Sequence, residues 1–275
     1  MIQGLTLVIP EKGDEERDAV GRAWEARGGA VVRLGRFWDP PALPPIDTLR
    51  LYGNDTFCLV LAQKLGLSLV SPPDDLILAL PPPTLGRRLE RAALRALIPA
   101  QFPTFAKPLV PKRFAAGVYA SLEALAAECQ GLEPDTAVLL SEIVKIDAEA
   151  RAFVAHGQVL DCGVYEGSAD PGAAGRAAAN LVAAISAQLK VSPLAPEPLG
   201  DTATADATGS PGDSARPSGP SPARSGLPSA LVMDVGLTGH LGWVVIEFNA
   251  AWGAGLNGCD ADRILPAIEA ATRAQ

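Results

Sequence analysis

Two side chains in the run Val244-Val245-Ile246-Glu247-Phe248-Asn249 have the chemistry to hold a hard cation. Residues two apart on a strand face the same way, so Glu247 and Asn249 project together. The run Leu231-Val232-Met233-Asp234-Val235 reads as the partner strand, and Gly236-Leu237-Thr238-Gly239-His240-Leu241-Gly242 supplies the glycines of a tight connection. A hairpin closing around Gly239 and His240 sets Asp234 opposite Glu247. Asp234, Glu247 and Asn249 would then form a cluster of oxygen ligands of the kind Mg²⁺ takes together with a phosphate. Taken alone, Glu247 and Asn249 read equally well as a polar pair at a strand end.

Cations that could meet such a phosphate lie upstream. Lys107 falls mid-strand in Thr104 to Val110, where an ammonium needs a partner or a route to water. Lys112 sits in the following loop, Pro111 to Gly117, whose small residues could fold backbone N–H groups over phosphates. Lys-Pro pairs are also ordinary loop residues. Arg151 lies on a strand with one polar face, where a salt bridge to Glu149 is the plain alternative to a site role. Leu85 to Leu97 reads as an amphipathic helix carrying Arg87, Arg88, Arg91 and Arg95, a solvated stripe by default and an anionic-substrate surface otherwise.

The elements that must position these groups follow from pattern. Leu5 to Ile9 is a strand, Asp14 to Arg27 a helix ended by Gly28-Gly29, Ala30 to Leu34 and Thr48 to Tyr52 strands, and the stretch through Leu65 a helix ended by Gly66. This alternation predicts a small parallel sheet with room for one ligand at its carboxyl ends, near Tyr52 to Asp55, although an ordinary strand-to-helix turn reads the same way. Further on come a helix at Leu122 to Cys129, strands at Ala137 to Val144, Glu149 to Phe153 and Gln158 to Tyr165, an alanine-rich helix at Gly172 to Lys190, and a terminal helix at Asp260 to Arg273. Ser192 to Pro228 is dominated by Pro, Ser, Gly, Ala, Thr and Asp, and its composition predicts a disordered insertion that loops out of a domain.

Totals narrow the function classes. The 275 residues are 48% hydrophobic, enough for a sizeable core. A net charge of -8 without a basic run makes nucleic-acid backbones and anionic membranes poor partners. Cysteines 58, 129, 162 and 259 form no CxxC pair, so zinc and dithiol chemistry are not indicated, and buried thiols in a reducing, cytoplasmic setting are expected. Neither a signal peptide nor a membrane span is legible. His156 and His240 fall in expected turns and read as surface residues.

One resemblance gathers the pieces. Phe105-Ala106-Lys107-Pro108 with Lys112-Arg113-Phe114, then Ser141-Glu142-Ile143-Val144, Glu149-Ala150-Arg151-Ala152-Phe153-Val154, Asp234, and Val245-Ile246-Glu247-Phe248-Asn249 are similar in order and spacing to an ATP-grasp domain. They look most like the clade marked by one arginine and two lysines, and the likeness spans roughly residues 45 to 275. It implies an α+β chain of ATP-grasp fold with a small N-terminal α/β (pre-ATP-grasp) domain at 1–100. A lid subdomain would follow at 101–146 and a C-terminal subdomain at 147–275, with the insertion at 192–228.

The roles it implies are specific. Lys107 would reach the α- and β-phosphates of ATP, and Lys112 would sit in the loop closing over them. Glu142, Ile143 and Val144 would meet the adenine edge. Glu149 would hold ribose hydroxyls or support a lysine, and Arg151 would hold a phosphoryl group or acyl phosphate. Asp234, Glu247 and Asn249 would bind Mg²⁺. The implied activity is an ATP- and Mg²⁺-dependent ligase joining a small-molecule or peptide carboxylate to an amine or related nucleophile through an acyl phosphate. A kinase-like phosphotransferase and a non-catalytic nucleotide-binding module are the alternatives. Two departures stand out: Phe114-Ala115-Ala116-Gly117 is poorer in Gly and Ser than such lids usually are, and the 192–228 insertion is foreign to the pattern.

Overall fold

The computed structural model describes residues 2–191 and 226–274. The expected insertion therefore lies almost wholly outside the described residues. Three sheets, six helices and one small strand pair make up the described chain.

The N-terminal part follows the pattern read from sequence. Strand β1 (Thr6–Pro10) leads into helix α1 (Glu15–Ala26), β2 (Ala30–Leu34), β3 (Leu49–Leu51) and helix α2 (Asp55–Leu65). The strands form a parallel sheet in the order β2-β1-β3. Asp14 caps α1 by accepting from the Arg17 amide at 2.9 Å, Asn54 caps α2 from the Phe57 amide at 3.0 Å, and α2 stops at Gly66 in the left-handed region. Strand β4 (Leu67–Leu69) then leaves this sheet.

After the short helix α3 (Pro82–Leu85), the chain departs from expectation. No helix runs through Leu97: β5 (Leu89–Ala93) is followed only by a 3₁₀ turn. Gly86, at φ 60, turns the backbone out of α3, and β5 pairs antiparallel with β8 (Ala137–Ser141). Sheet pairing overrides the helix propensity of its Leu, Arg and Ala residues, which is a weak local preference. With β6 (Thr104–Pro108), β7 (Gly117–Tyr119) and helix α4 (Leu122–Glu128) this makes an antiparallel sheet in the order β5-β8-β6-β7. Strand β8 ends at Ser141, earlier than the expected Val144, so residues 142–147 are a link and not a strand.

The third sheet carries the chemistry. Its order is β10-β9-β11-β12, from β9 (Ala148–Ala155), β10 (Gln158–Gly167), β11 (Ala230–Thr238) and β12 (Gly242–Asn249), with helix α5 (Pro171–Val191) between β10 and β11 in sequence. Helix α6 (Leu265–Ala270) and β13 (Thr272–Ala274) end the described chain. The expected terminal helix is thus reduced to six residues, because Pro266 has no amide to donate and fits only a first turn, and Thr272 to Ala274 pair with β4.

Side-chain alternation gives that sheet two unlike faces. Ala150, Ala152, Val154, Leu231, Met233, Val235 and Val245 pack on Ala174, Ala178, Val182, Ile185 and Leu189 of α5. The α5 residues recur at helical spacing along one face. The intervening residues Phe153, Ala155, Ala230 and Val232 face the other way, into the core shared with β1, α1, β3 and α2. Glu149, Arg151 and Asp234 share that second face by the same alternation.

Candidate active site

Asp234 pairs with Glu247 across the β11–β12 hairpin, the register that its glycine-bounded turn implied. One irregularity follows: Val235 pairs with Val245, so Ile246 is an extra residue on β12. Such a bulge bends the strand and changes where its side chains aim. Ile246 ends beside Gly236 together with Ile146, while Glu247 and Asn249 point toward Asp234.

Four charges converge there. Arg151 Nε and Nη2 donate to the two Asp234 carboxylate oxygens at 2.8 and 2.7 Å. Lys107 Nζ, arriving from β6 of the neighbouring sheet, lies 3.2 Å from Glu247 Oε2. The Asn249 amide joins the pairs, donating to Asp234 Oδ2 at 3.1 Å and to Glu247 Oε1 at 3.0 Å. The pairs differ in depth: the Arg151 and Asp234 side chains are 13% and 2% exposed, those of Lys107 and Glu247 22% and 39%. Burial raises the Asp234 carboxyl above its ordinary range, opposed by the two Arg151 hydrogen bonds. Burial also acts to raise Glu247, but the neighbouring Lys107 ammonium, helped by the Asn249 amide, holds it below its ordinary range.

Glu149 is not the partner of Arg151. It accepts from the Tyr165 hydroxyl at 2.6 Å, while Arg151 lies over the Tyr165 ring at 5.8 Å. Register decides this: Asp234 is directly opposite Arg151 on the adjacent strand, where Cβ atoms come closer than for residues two apart on one strand. Lys112 is held elsewhere. At φ 67 in its loop, it pairs with Asp55 at the start of α2, so it reaches the N-terminal part and not the Lys107 cluster.

A cleft of about 730 Å³ opens toward the turn end of the same hairpin. The link residues Glu142, Ile143, Val144, Lys145 and Asp147 line it, with Gly86, Pro103 and the Gly239-His240 turn. Its volume is that of an ordinary small-molecule site. Glu142 is also tied to the approach to β5, its carboxylate accepting from the Arg88 amide at 2.9 Å. Both histidines are exposed, and His240 stands at the rim of this cleft.

Sequence reasoning missed Arg87. It is not part of a solvated stripe: its guanidinium donates to the Val245 carbonyl at 2.7 Å and the Ile246 carbonyl at 3.2 Å. Strand β12 is an edge strand, and these carbonyls lie at its bulge, so Arg87 occupies acceptors that no fifth strand can satisfy. Burial holds Arg87 below the ordinary guanidinium range. The only available signal was its position just after the Pro82-Pro83 and Gly86 breakers.

The loop after β12 is anchored throughout. Trp252, 2% exposed, donates to Ser71 Oγ at 3.1 Å, and its carbonyl accepts from the Gly53 amide at 3.0 Å. The Ala254 carbonyl accepts from the Tyr52 hydroxyl at 2.8 Å. Asp260 accepts from the amides of Asp262 and Arg263 at 2.9 and 3.1 Å. No thiol is primed for chemistry: Cys58, Cys129 and Cys259 are buried, and burial pushes Cys162 up to about 11 and Cys259 up to about 12.

Among the described residues no three or more His, Cys, Asp and Glu side chains are grouped to hold a metal ion by themselves. The donors present nevertheless fit Mg²⁺, which is held by one or two carboxylates together with phosphate oxygens and water. Glu247 is the accessible carboxylate and Asn249 adjoins it. Asp234 has both oxygens engaged by Arg151, so it is available to a cation only if the guanidinium moves.

This combination of a parallel N-terminal sheet, an antiparallel sheet bearing Lys107 and a second sheet bearing the acid-amide cluster is the architecture of the ATP-grasp proteins. The chain belongs to that superfamily: a family model described as an ATP-grasp domain matches residues 85–194 and 221–267. The gap between those segments falls inside the Pro- and Ser-rich stretch. Members of the superfamily are mostly ATP-dependent ligases. No protein of curated function matches the sequence.

Among solved structures, a RimK-domain ATP-grasp protein from Sphaerobacter thermophilus is similar over 97% of this chain and 99% of its own, at 15% identity and TM-score 0.54. N5-carboxyaminoimidazole synthase from Aspergillus clavatus, in complex with ADP and 5-aminoimidazole ribonucleotide, is similar over 98% of this chain and 77% of its own, at 10% identity and TM-score 0.56. The ATP-grasp ligase PsnB, in complex with a minimal precursor, is similar over 98% of this chain and 99% of its own, at 12% identity and TM-score 0.51. At these identities the likeness is one of fold. No described helix is long and apolar enough to cross a membrane.

Proposed function

We propose that this chain is an ATP- and Mg²⁺-dependent ligase that activates a carboxylate as an acyl phosphate and passes the acyl group to an amine or related nucleophile. The observation that carries the reading is the meeting of Lys107, from one sheet, with Glu247, Asn249, Asp234 and Arg151 on the charged part of one face of another, with a cleft of nucleotide size at the turn end of the same hairpin. Phosphoryl transfer needs placed charge more than covalent help from the protein. Neither histidine is required as a base, in keeping with their exposed positions.

In this reading the link 142–147 receives the adenine, with Glu142, Ile143 and Val144 along its edge and Ile146 and Ile246 as apolar neighbours. Lys107 turns from Glu247 to the α- and β-phosphates, and Glu149 lies in reach of the ribose. Glu247 and Asn249 would hold Mg²⁺, while Arg151, kept on Asp234, turns its remaining N–H groups to the transferring group. Bound there, the ion supplies charge neutralisation on the phosphate oxygens. Lys112, now on Asp55, closes its loop over the phosphates from the side of α2. A substrate carboxylate oxygen attacks the γ-phosphorus and ADP leaves; the nucleophile then attacks the acyl carbon and phosphate leaves. The coincidence of an acidic chain with a reducing cysteine inventory supports a cytoplasmic setting. Residues 1–100, 101–146 and 147–275 act as N-terminal, lid and C-terminal parts. The ligase chemistry also agrees with what the proteins similar in fold are named for.

The test is chemical trapping. Incubated with ATP, Mg²⁺, pooled carboxylates and hydroxylamine, the protein should yield a hydroxamate in step with ADP. Phosphorylated product without hydroxamate would favour the phosphotransferase alternative, and no ADP at all would leave only a binding module.

A further inference from the structure

Glu16 stands in the first turn of α1, where an acidic residue would ordinarily favour its own helix's N-terminus. Its carboxylate instead crosses to the loop after β12. Oε2 accepts from the Leu256 amide and Oε1 from the Asn257 amide, each at 2.9 Å. Charge-assisted bonds of this kind are roughly twice as strong as neutral ones, and a bidentate pair fixes orientation as well as distance. The residue before this pair, Gly255, turns its carbonyl to Arg151 Nη1 at 3.2 Å. The loop therefore receives Glu16 on its amides and Arg151 on the adjoining carbonyl.

Gly255 is fitted to this arrangement. A Cβ there would lie 2.6 Å from Glu16 Oε2, closer than any real contact, so the carboxylate reaches the loop only because residue 255 has no side chain. Asn257, whose amide meets the same carboxylate, holds φ 46 in the left-handed region. Arg151 thus has three fixed acceptors: two Asp234 oxygens set by the sheet and the Gly255 carbonyl set from the N-terminal part. The sheet contacts alone leave the guanidinium free to follow Asp234; the third contact sets where its remaining N–H groups aim.

We infer that Glu16 is a positioning residue for Arg151, acting through the 255–257 loop, so that the N-terminal part of the chain sets the aim of a guanidinium on the phosphoryl site. The inference rests on the proposed ligase reading for its enzymatic consequence and on geometry alone for its structural one. Glu16→Gln keeps the size of the side chain but puts an amide N–H group against one of the two backbone N–H donors.

The first readout needs no turnover. In the ligand-free protein, the Arg151 Nη1–H resonance, which reports the Gly255 contact, should shift in Glu16→Gln and exchange with water about tenfold faster, with the Leu256 and Asn257 amides following. An unchanged Arg151 resonance in a folded Glu16→Gln protein would overturn the inference whatever the enzymology. The second readout is kinetic. Glu16→Gln should lower kcat about tenfold with the KM for ATP within about twofold, and should cost nothing further in an Arg151→Lys background. Fully additive losses would also overturn it. A wild-type protein without turnover, combined with the expected resonance change, would sink the ligase reading and leave Glu16 in its positioning role.

Discussion

The two faces of the β10-β9-β11-β12 sheet are made from the same strands and do opposite things. Along β11, Leu231, Met233 and Val235 go into the α5 core, while Val232, Asp234 and Gly236 face the other side. Along β9, Ala150 and Ala152 alternate with Glu149, Arg151 and Phe153. The first face is dry and satisfied by shape. The second packs Phe153 and Val232 into the core shared with the N-terminal strands, and around Arg151, Asp234, Lys107 and Glu247 it is satisfied by pairing, cation against carboxylate, with an amide between. A packed face is held by its area, which is hard to lose by one change except through a cavity. A paired face holds groups that are costly if orphaned and useful if exchanged. Lys107 and Glu247 are the exchangeable pair because both keep access to water; Arg151 and Asp234 are the fixed pair because both are largely withdrawn from it.

Removing the exchangeable pair is the sharpest way to separate the faces. Lys107→Ala and Glu247→Ala should each lower ATP-dependent turnover by at least about 100-fold, the usual loss for one charge-placing contact. Neither leaves a deeply buried charge alone, so thermal melts should stay near wild type. Steady-state kinetics beside melting curves checks this, and turnover at the wild-type level in either variant would show that the phosphate site lies elsewhere.

The fixed pair should behave oppositely, with stability as the first casualty. Asp234→Ala leaves Arg151 buried without its counter-charge and should cost about 3–5 kcal/mol of unfolding free energy. Replacing both residues by apolar ones, as in Asp234→Leu with Arg151→Met, should recover much of that loss but no activity. On the dry face, Ile185→Ala should cost about 2–5 kcal/mol by leaving a cavity, while turnover per folded molecule stays unchanged. Urea unfolding with activity at matched folded fractions tests all three. A stable Asp234→Ala protein would mean that water reaches Arg151, and the contrast of depth would fail.

Much of the charged face was legible before any coordinates because it obeys period two. The glycines of the 236–242 turn set the hairpin, and the hairpin set Asp234 against Glu247. That Lys107 needs a partner or a route to water followed from its cost mid-strand; that the partner is Glu247 did not. The partner of Arg151 was not legible, since choosing Asp234 over Glu149 depends on the register between two strands whose facing residues, Arg151 and Asp234, are 83 positions apart in sequence. Arg87 was misplaced because Leu85 to Leu97 carries helix-forming residues, and only pairing with β8 makes part of it a strand. Glu16 was invisible because its partners are backbone amides, which every residue but proline has. The terminal helix was overextended because Pro266 reads as a helix starter as readily as a breaker.

Acid separates the two faces with the smallest signal. Glu247 titrates below its ordinary range in the folded chain: burial acts to raise it, but Lys107, the Asn249 amide and Arg151 together outweigh that effect, Lys107 foremost among them. A carboxyl whose folded value is depressed adds stability above its unfolded value and loses it as pH falls through the folded one. The stability difference between wild type and Glu247→Gln should therefore be constant near neutrality and shrink below the ordinary glutamate range. Because the side chain is 39% exposed and screened by solvent, the whole change should stay under about 1 kcal/mol. The thiol that the dry face sets against α5, Cys162, is pushed up to about 11, far above the acid range, so the difference between wild type and Ile185→Ala should show no such pH dependence in acid. Unfolding free energies measured across the acid range for both variants decide the matter. A Glu247→Gln difference that persisted unchanged into acid would mean that Lys107 is not what holds this carboxylate, and that the pair seen on the charged part of the face is not the one that exchanges.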